Sequence, residues 1–177
     1  MPSHPGQEMK IRIIEVDDEK NLAKLFVTCF SAPPWNEAWT LPTALSRIRP
    51  MVRTESFCGV IALREDEAAG MAFGQIEQWT DSCHFLLQEM CVVPDLQGQG
   101  IGTAMLGTLG KQLKENAGVT SMYLLTDETA PAAKFYGKLH FARSQTKILM
   151  GSPINRIIEA AAHNSLLNTD AQGRWST

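Results

Sequence analysis

The sequence predicts an α/β fold built on one mixed sheet, and three observations lead to it. Runs of alternating apolar and polar residues fill the first half of the chain. An apolar strand then runs straight into a glycine-rich turn that opens a helix, at Val92-Val93-Pro94-Asp95-Leu96-Gln97-Gly98-Gln99-Gly100-Ile101-Gly102-Thr103. Beyond it the pattern becomes strand, helix, strand, the unit that parallel pairing requires.

Taken in order, Lys10 to Val16 alternates as a first strand. Asp17 or Asp18 caps a helix to about Phe30, with Leu22, Leu25, Phe26 and Cys29 facing inward. Ser31 to Trp39 carries Pro33-Pro34 and is a loop. Thr40 caps a second helix with Pro42 in its first turn and Leu41, Ala44, Leu45 and Ile48 inside. Phe57 to Leu63 and Met71 to Gln78 form a hairpin across Arg64-Glu65-Asp66-Glu67. His84 to Val93 is a strand, Gly102 to Glu115 a helix and Ser121 to Thr126 a strand. Pro131 to Lys138 is a helix, and Phe141 to Met150 a last strand.

The order is β-α-α-β-β-β-α-β-α-β, with residues 10–150 forming one domain. Residues 1–9 read as a flexible N-terminus. Residues 151–177 read as a C-terminal helical extension, with a short helix from Pro153 to His163 and a fraying polar end at Asn168 to Gly173. Gly107 and Gly110 fall inside a helix, where each costs about 0.5–1 kcal/mol relative to alanine. They mark either drift or a close approach of that helix to the sheet.

With 177 residues, 44% of them hydrophobic, the chain can bury a sizeable core. A net charge of −3 argues against general affinity for nucleic acid or anionic membrane. No apolar run approaches the roughly twenty residues that span a bilayer. The four cysteines form no CxxC pair and read as free thiols in a reducing cytosol. Cys83-His84 has no ligand-spaced partner pair, so no metal site is expected.

The glycine turn aims backbone N–H groups and a helix N-terminus at one point, which makes a phosphate site from main chain. It is not a P-loop: Gly110-Lys111 would need glycine at Met105 and a hydroxyl at Gln112. A dinucleotide GxGxxG would put its last glycine at Thr103 or Met105, and would open a βαβ unit rather than follow several strands. What remains is Gln-x-x-Gly-x-Gly, on Gln97, Gly100 and Gly102.

That pattern resembles the acyl-CoA-binding signature of the GNAT (Gcn5-related N-acetyltransferase) superfamily. Leu87-Gln88-Glu89-Met90-Cys91-Val92-Val93-Pro94 looks like the family's central strand with its V-x-P exit. Further on, Ala132-Ala133-Lys134-Phe135-Tyr136-Gly137-Lys138-Leu139-His140-Phe141 resembles its A-x-x-F-Y-x-K-x-G-F segment. The resemblance covers roughly residues 10 to 150. One departure is His140, where the family has glycine; histidine tolerates positive φ better than most side chains.

The resemblance implies a GNAT-like fold and acetyl-CoA as co-substrate, with the N–H groups of Gln97, Gly98, Gln99, Gly100, Ile101, Gly102 and Thr103 on its pyrophosphate. It implies a central strand that diverges from the next one. Backbone groups of Met90, Cys91 and Val92 would then meet the pantetheine arm and polarise the acetyl carbonyl. Thr126 would bond the arm or be a plain strand-end threonine, and Phe135 and Tyr136 would line the cofactor's pocket.

Glu89 is the candidate general base, the only acid between Phe85 and Val93. On a central strand an ionised carboxylate is costly, which raises its proton affinity. The other reading is a Glu on a wet face or one paired with a nearby arginine. Tyr136 matches the family tyrosine near the CoA sulfur and would protonate the leaving thiolate; otherwise it is a buried aromatic. Cys91 has no visible activating partner, so covalent catalysis is not expected.

Trp35, Glu37 and Trp39 in the first inter-helix loop, with Glu77 near the end of the third strand, suit a cationic amine with an apolar body. The tryptophans would otherwise cap the core edge. The implied activity is transfer of an acetyl group from acetyl-CoA to a primary amine, of a small molecule more than of a protein, by direct attack in a ternary complex. The alternatives are a protein lysine or N-terminal acetyltransferase, and a non-catalytic acyl-CoA sensor. The family often forms homodimers, and the tail after Gly151 would be available for one.

Overall fold

The computed structural model describes residues 9–163. The N-terminal segment to residue 8 and the polar end at Asn168 to Gly173 lie outside the described residues. The chain divides into two compact units, Met1–Phe141 and Ala142–Thr177.

The first unit contains β1 (Met9–Ile13), α1 (Glu19–Phe30), α2 (Leu41–Val52), β2 (Phe57–Arg64), β3 (Glu67–Gln78), β4 (Cys83–Val92), α3 (Ile101–Ala117), β5 (Val119–Leu124) and α4 (Pro131–Lys138). The strands form one sheet in the order β1-β2-β3-β4-β5. The first three pairings are antiparallel and β4–β5 is parallel, so the sheet is mixed as its sequence pattern predicts. β2 and β3 meet through a two-residue turn, Glu65 (φ 52°) and Asp66 (φ 65°), the left-handed pair that matches strand twist. That turn starts β3 at Glu67, ahead of the predicted Met71, because Glu67, Ala68 and Gly70 already pair with Arg64, Leu63 and Ala62 of β2, with Ala69 as a bulge between them.

Alternation along the strands divides the core between two faces. Ile61, Met71 and Phe73 pack with Leu22, Phe26, Ala44 and Ile48 of α1 and α2. Val60, Ala62, Ala72, Phe85 and Leu87 pack with Met105 and Leu109 of α3. Each large side chain buried in this way contributes about 1.5–3 kcal/mol. Thr40 caps α2 as expected, its Oγ1 accepting from the Thr43 amide at 3.3 Å. Leu41, in the first turn, is exposed rather than inward. Glu19 ties the two helices together, accepting from Arg49 Nε at 3.0 Å and Arg53 Nε at 2.5 Å.

Gly107 and Gly110 do not mark a close approach, since a Cβ added at either would meet nothing within 4 Å. Gly107 instead lines a cavity of about 340 Å³ with Thr103, Leu106, Met122, Leu139 and Phe141.

α4 ends in a Schellman motif. The His140 amide donates to Gly137 O at 3.1 Å and the Phe141 amide to Tyr136 O at 3.1 Å. The Phe141 ring closes on Tyr136, with centroids 5.5 Å apart. This geometry needs positive φ at His140, and its φ is 65°. Left-handed backbone costs a non-glycine residue about 1–2 kcal/mol. His140→Gly is therefore expected to stabilise the protein by about 1 kcal/mol, a Tm rise of roughly 2–4 °C by thermal denaturation.

The predicted last strand, Phe141 to Met150, is absent: residues 142–153 have no regular structure. Ser144 Oγ accepts from the amides of Thr146 (3.3 Å) and Lys147 (2.9 Å), a local turn that competes with strand pairing. Ile148, Leu149 and Met150 are consecutive, not alternating, and all three are exposed. The second unit then forms α5 (Ile154–His163), close to the predicted helix.

Candidate active site

Glu89 owes its position to a β-bulge. Phe73 pairs with Glu89 but Gly74 with Leu87, so Gln88 is an extra residue in β4. Before the bulge, Phe85 and Leu87 face α3. After it, the odd-numbered side chains change sides: Cys91 joins the α1–α2 core, while Met90 and Val92 join α3. Glu89 turns with Cys91 and bonds Arg47 of α2. The bulge has room because its partner is glycine. A Cβ at Gly74 would sit 1.8 Å from Leu86 O and 3.0 Å from Gln88 N.

Glu89 is 6% exposed. Arg47 Nε donates to its Oε1 at 2.7 Å. Burial raises the carboxyl's proton affinity above the ordinary range, Arg47 partly opposes that, and the charge of Glu37 adds to it. Glu89 is thus buried, not on a wet face, and is paired with an arginine. Tyr136 on α4 lies close enough to be affected by Glu89 and Cys91, and burial foremost lifts its phenol to about 12. Burial likewise holds the Cys91 thiol well above its usual value, beside Cys29 of α1. A neutral thiol is a poor nucleophile. Chemically, the group offers a carboxyl of raised proton affinity and a phenol that stays protonated and can donate a hydrogen bond.

Beside this group the sheet opens. β4 and β5 pair from Cys83↔Val119 to Leu87↔Leu124, and Gln88 to Val92 run on with no strand partner on that side among the described residues. Gln88 Oε1 is buried and has no hydrogen-bond partner among the described residues. The strand exits through a 3-10 turn, Pro94–Leu96, into the glycines. Gly98 (φ 74°) and Gly100 (φ 84°) take left-handed backbone, and Gly100 is the N-cap of α3. No side chain caps that helix end, so the first-turn amides of Ile101, Gly102 and Thr103 have no intrahelical acceptor. Gln97 braces the turn, its Nε2 donating to Val92 O at 3.0 Å. Gln99 Nε2 donates to Asp95 O at 3.4 Å. A Cβ at Gly102 would lie 3.1 Å from both Met90 Cε and Phe135 Cζ, so its bareness lets α4 and β4 close beneath the first turn.

The predicted acceptor residues separate into two places. Glu37 and Trp39 belong near Glu89: Trp39 Nε1 donates to Glu37 Oε2, and the Trp39 ring stands edge-on to Phe26 at 4.8 Å. Trp39 thus also caps the core edge, while Trp35 is 38% exposed beside Phe30. Glu77 pairs with His84, four positions down the β3 ladder from Phe73↔Glu89, and accepts from Tyr123 Oη at 2.7 Å. Thr126 follows β5 and is exposed. Arg47, Gly74 and Gln88 were not singled out from sequence. The one available signal was Arg47 among Ala44 and Ile48 on the inner side of α2. Among the described residues, no group of three or more His, Cys, Asp or Glu could hold a metal ion. No described helix is long and apolar enough to cross a membrane.

The fold agrees with those of known proteins. An aminoglycoside acetyltransferase from an uncultured soil metagenomic sample, solved with sisomicin, superposes with TM-score 0.64 at 15% identity, covering 82% of this chain and 95% of that one. AAC(6')-Iy in complex with the bisubstrate analogue CoA-S-monomethyl-acetylneamine gives TM-score 0.63 at 17% identity, over 82% and 99%. A ribosomal-protein-alanine N-acetyltransferase from Brucella melitensis biovar Abortus 2308 gives 0.64 at 12% identity, over 82% and 99%. At such identities these likenesses concern the fold alone. No curated protein matches the sequence at a significant level. The sequence profile of the acetyltransferase (GNAT) domain matches residues 55–143, from β2 through the glycine turn to the end of α4, and by that match the chain belongs to the GNAT acetyltransferases.

Proposed function

We propose that this chain transfers an acetyl group from acetyl-CoA to a primary amine of a small molecule, by direct attack with both substrates bound. One observation carries the reading: Glu89 is buried two residues past the last β4–β5 pair, and its charge reaches the phenol of Tyr136 on α4. The uncapped amides of Ile101, Gly102 and Thr103, with Gly98 and Gly100 leaving the backbone open, would hold the pyrophosphate. The backbone of Met90, Cys91 and Val92, past the end of the β5 pairing, would align the arm and polarise the carbonyl, and Phe135 and Tyr136 would wall it. Acetyl-CoA, when bound, supplies the activated acyl group.

Glu89 takes the proton from the ammonium group, directly or through water, and Tyr136 donates to the departing sulfur. Its raised proton affinity keeps the phenol protonated until it is needed. Glu37, Trp39 and Trp35 would receive the body of a cationic amine. The free cysteines among the described residues suit a reducing cytosol. The test is CoA release from acetyl-CoA with a panel of aminoglycosides, polyamines, amino-acid-like amines and lysine peptides. Turnover on small cationic amines is expected. Turnover on peptides alone would favour a protein acceptor, and binding without turnover on any amine would make the chain a sensor.

A further inference from the structure

Glu89 is held through one oxygen. Arg47 Nε is 2.7 Å from its Oε1, and Arg47 Nη2 is 2.5 Å from the same atom. A guanidinium facing a carboxylate ordinarily spreads its donors over both oxygens. Arg12 does so with Asp18, at 2.7 Å to Oδ2 and 2.8 Å to Oδ1. At Glu89 both donors converge on Oε1, and Oε2 receives no hydrogen bond from the described residues. The guanidinium has its own support. Its Cζ lies 5.9 Å from the Phe26 ring centre, and Phe26 is a core residue of α1, 2% exposed. Glu19 fixes α2 against α1 through Arg49 and Arg53.

We propose that Arg47 is a positioning residue for this base: it pins Oε1 of Glu89 and leaves Oε2 as the oxygen that takes the amine's proton. The inference rests on Glu89 being the base. The groups around that carboxylate are Arg47 from α2, Glu37 from the α1–α2 loop, Cys91 from its own strand and Tyr136 from α4, with Cys29 of α1 behind Cys91. Cys91 and Tyr136 stay neutral near neutral pH, so Arg47 is the one cation in this described set. Its removal therefore shifts the balance in a single direction.

The experiment measures kcat/KM against pH for the wild type, Arg47→Met, Arg47→Lys and Glu89→Gln, with a thermal melt of each. In Arg47→Met the acid limb is expected to move up by about 1 pH unit or more. Its plateau kcat falls about tenfold or more, because the carboxylate is no longer aimed. Arg47→Lys returns the limb toward the wild type without restoring kcat, since an ammonium supplies the charge but not the rigid fork. An unmoved limb in Arg47→Met, with Glu89→Gln inactive, overturns the positioning role and leaves the base in place. An active Glu89→Gln with its acid limb intact overturns the base instead. If Arg47→Met does not fold, wild-type kcat in Arg47→Lys overturns the proposal.

Discussion

Replacing Glu89 with glutamine is expected to lower kcat by about 10²–10⁴-fold while leaving acetyl-CoA affinity nearly unchanged. The amide keeps the shape and cannot accept the proton. Glu89 belongs to β4 and is not one of the uncapped amides that would hold the pyrophosphate, so the affinity has no reason to fall. Steady-state kinetics with acetyl-CoA and the best amine, beside calorimetric CoA binding, measures both quantities. Full activity would remove Glu89 from the mechanism.

The pH behaviour follows from the same burial. Glu89 acts when ionised, and its proton affinity in the fold is raised, so kcat/KM should climb through an acid limb above the usual glutamate range. The stability sign is opposite. A carboxyl whose folded pKa is raised stabilises the fold below its unfolded value, and that contribution is lost as pH rises through the folded one. As pH rises past the unfolded value, keeping Glu89 buried therefore costs stability. Glu89→Gln should melt at or above the wild-type temperature at neutral pH and lose that advantage in acid.

The second large effect is expected at Gly74. In Gly74→Ala the new methyl would lie 1.8 Å from Leu86 O, a separation no packing adjustment of side chains relieves, because the obstacle is backbone. β3 and β4 must part at the bulge. Overpacking of this kind costs about 1–3 kcal/mol and sometimes more. Thermal denaturation should show that loss. Activity should fall further than the folded fraction does, because the bulge aims Glu89. A Gly74→Ala enzyme with wild-type kcat per folded molecule would show that the bulge does not set the carboxylate. Gly107→Ala makes a useful contrast, since a Cβ there meets nothing within 4 Å.

Much of this was legible in the sequence, for physical reasons that differ by element. The glycine turn reads directly because left-handed backbone at Gly98 and Gly100 demands glycine at fixed spacing. The α1 core face reads from helical period, and Leu22, Leu25, Phe26 and Cys29 are all buried. His140 was recognisable as a positive-φ position only through the family pattern around it. The bulge was hidden, since one extra residue in β4 leaves no mark on alternation until Gly74 is seen across the ladder. Arg47 was hidden too, because its partner is a tertiary contact between α2 and β4. The last strand failed for a local reason, as the Ser144 hydroxyl satisfied the amides that a neighbouring strand would have taken.

The bulge also means that the function of β4 is written as parity. Gln88 changes odd to even, and every side chain after it exchanges one face of the sheet for the other. Were Gln88 paired as an ordinary ladder residue, the composition of the strand would not change, yet Glu89 would share the face of Phe85 and Leu87 beneath α3, away from Arg47. A carboxylate that reaches an amine is thus specified here by a count of residues along a strand as much as by the presence of a glutamate.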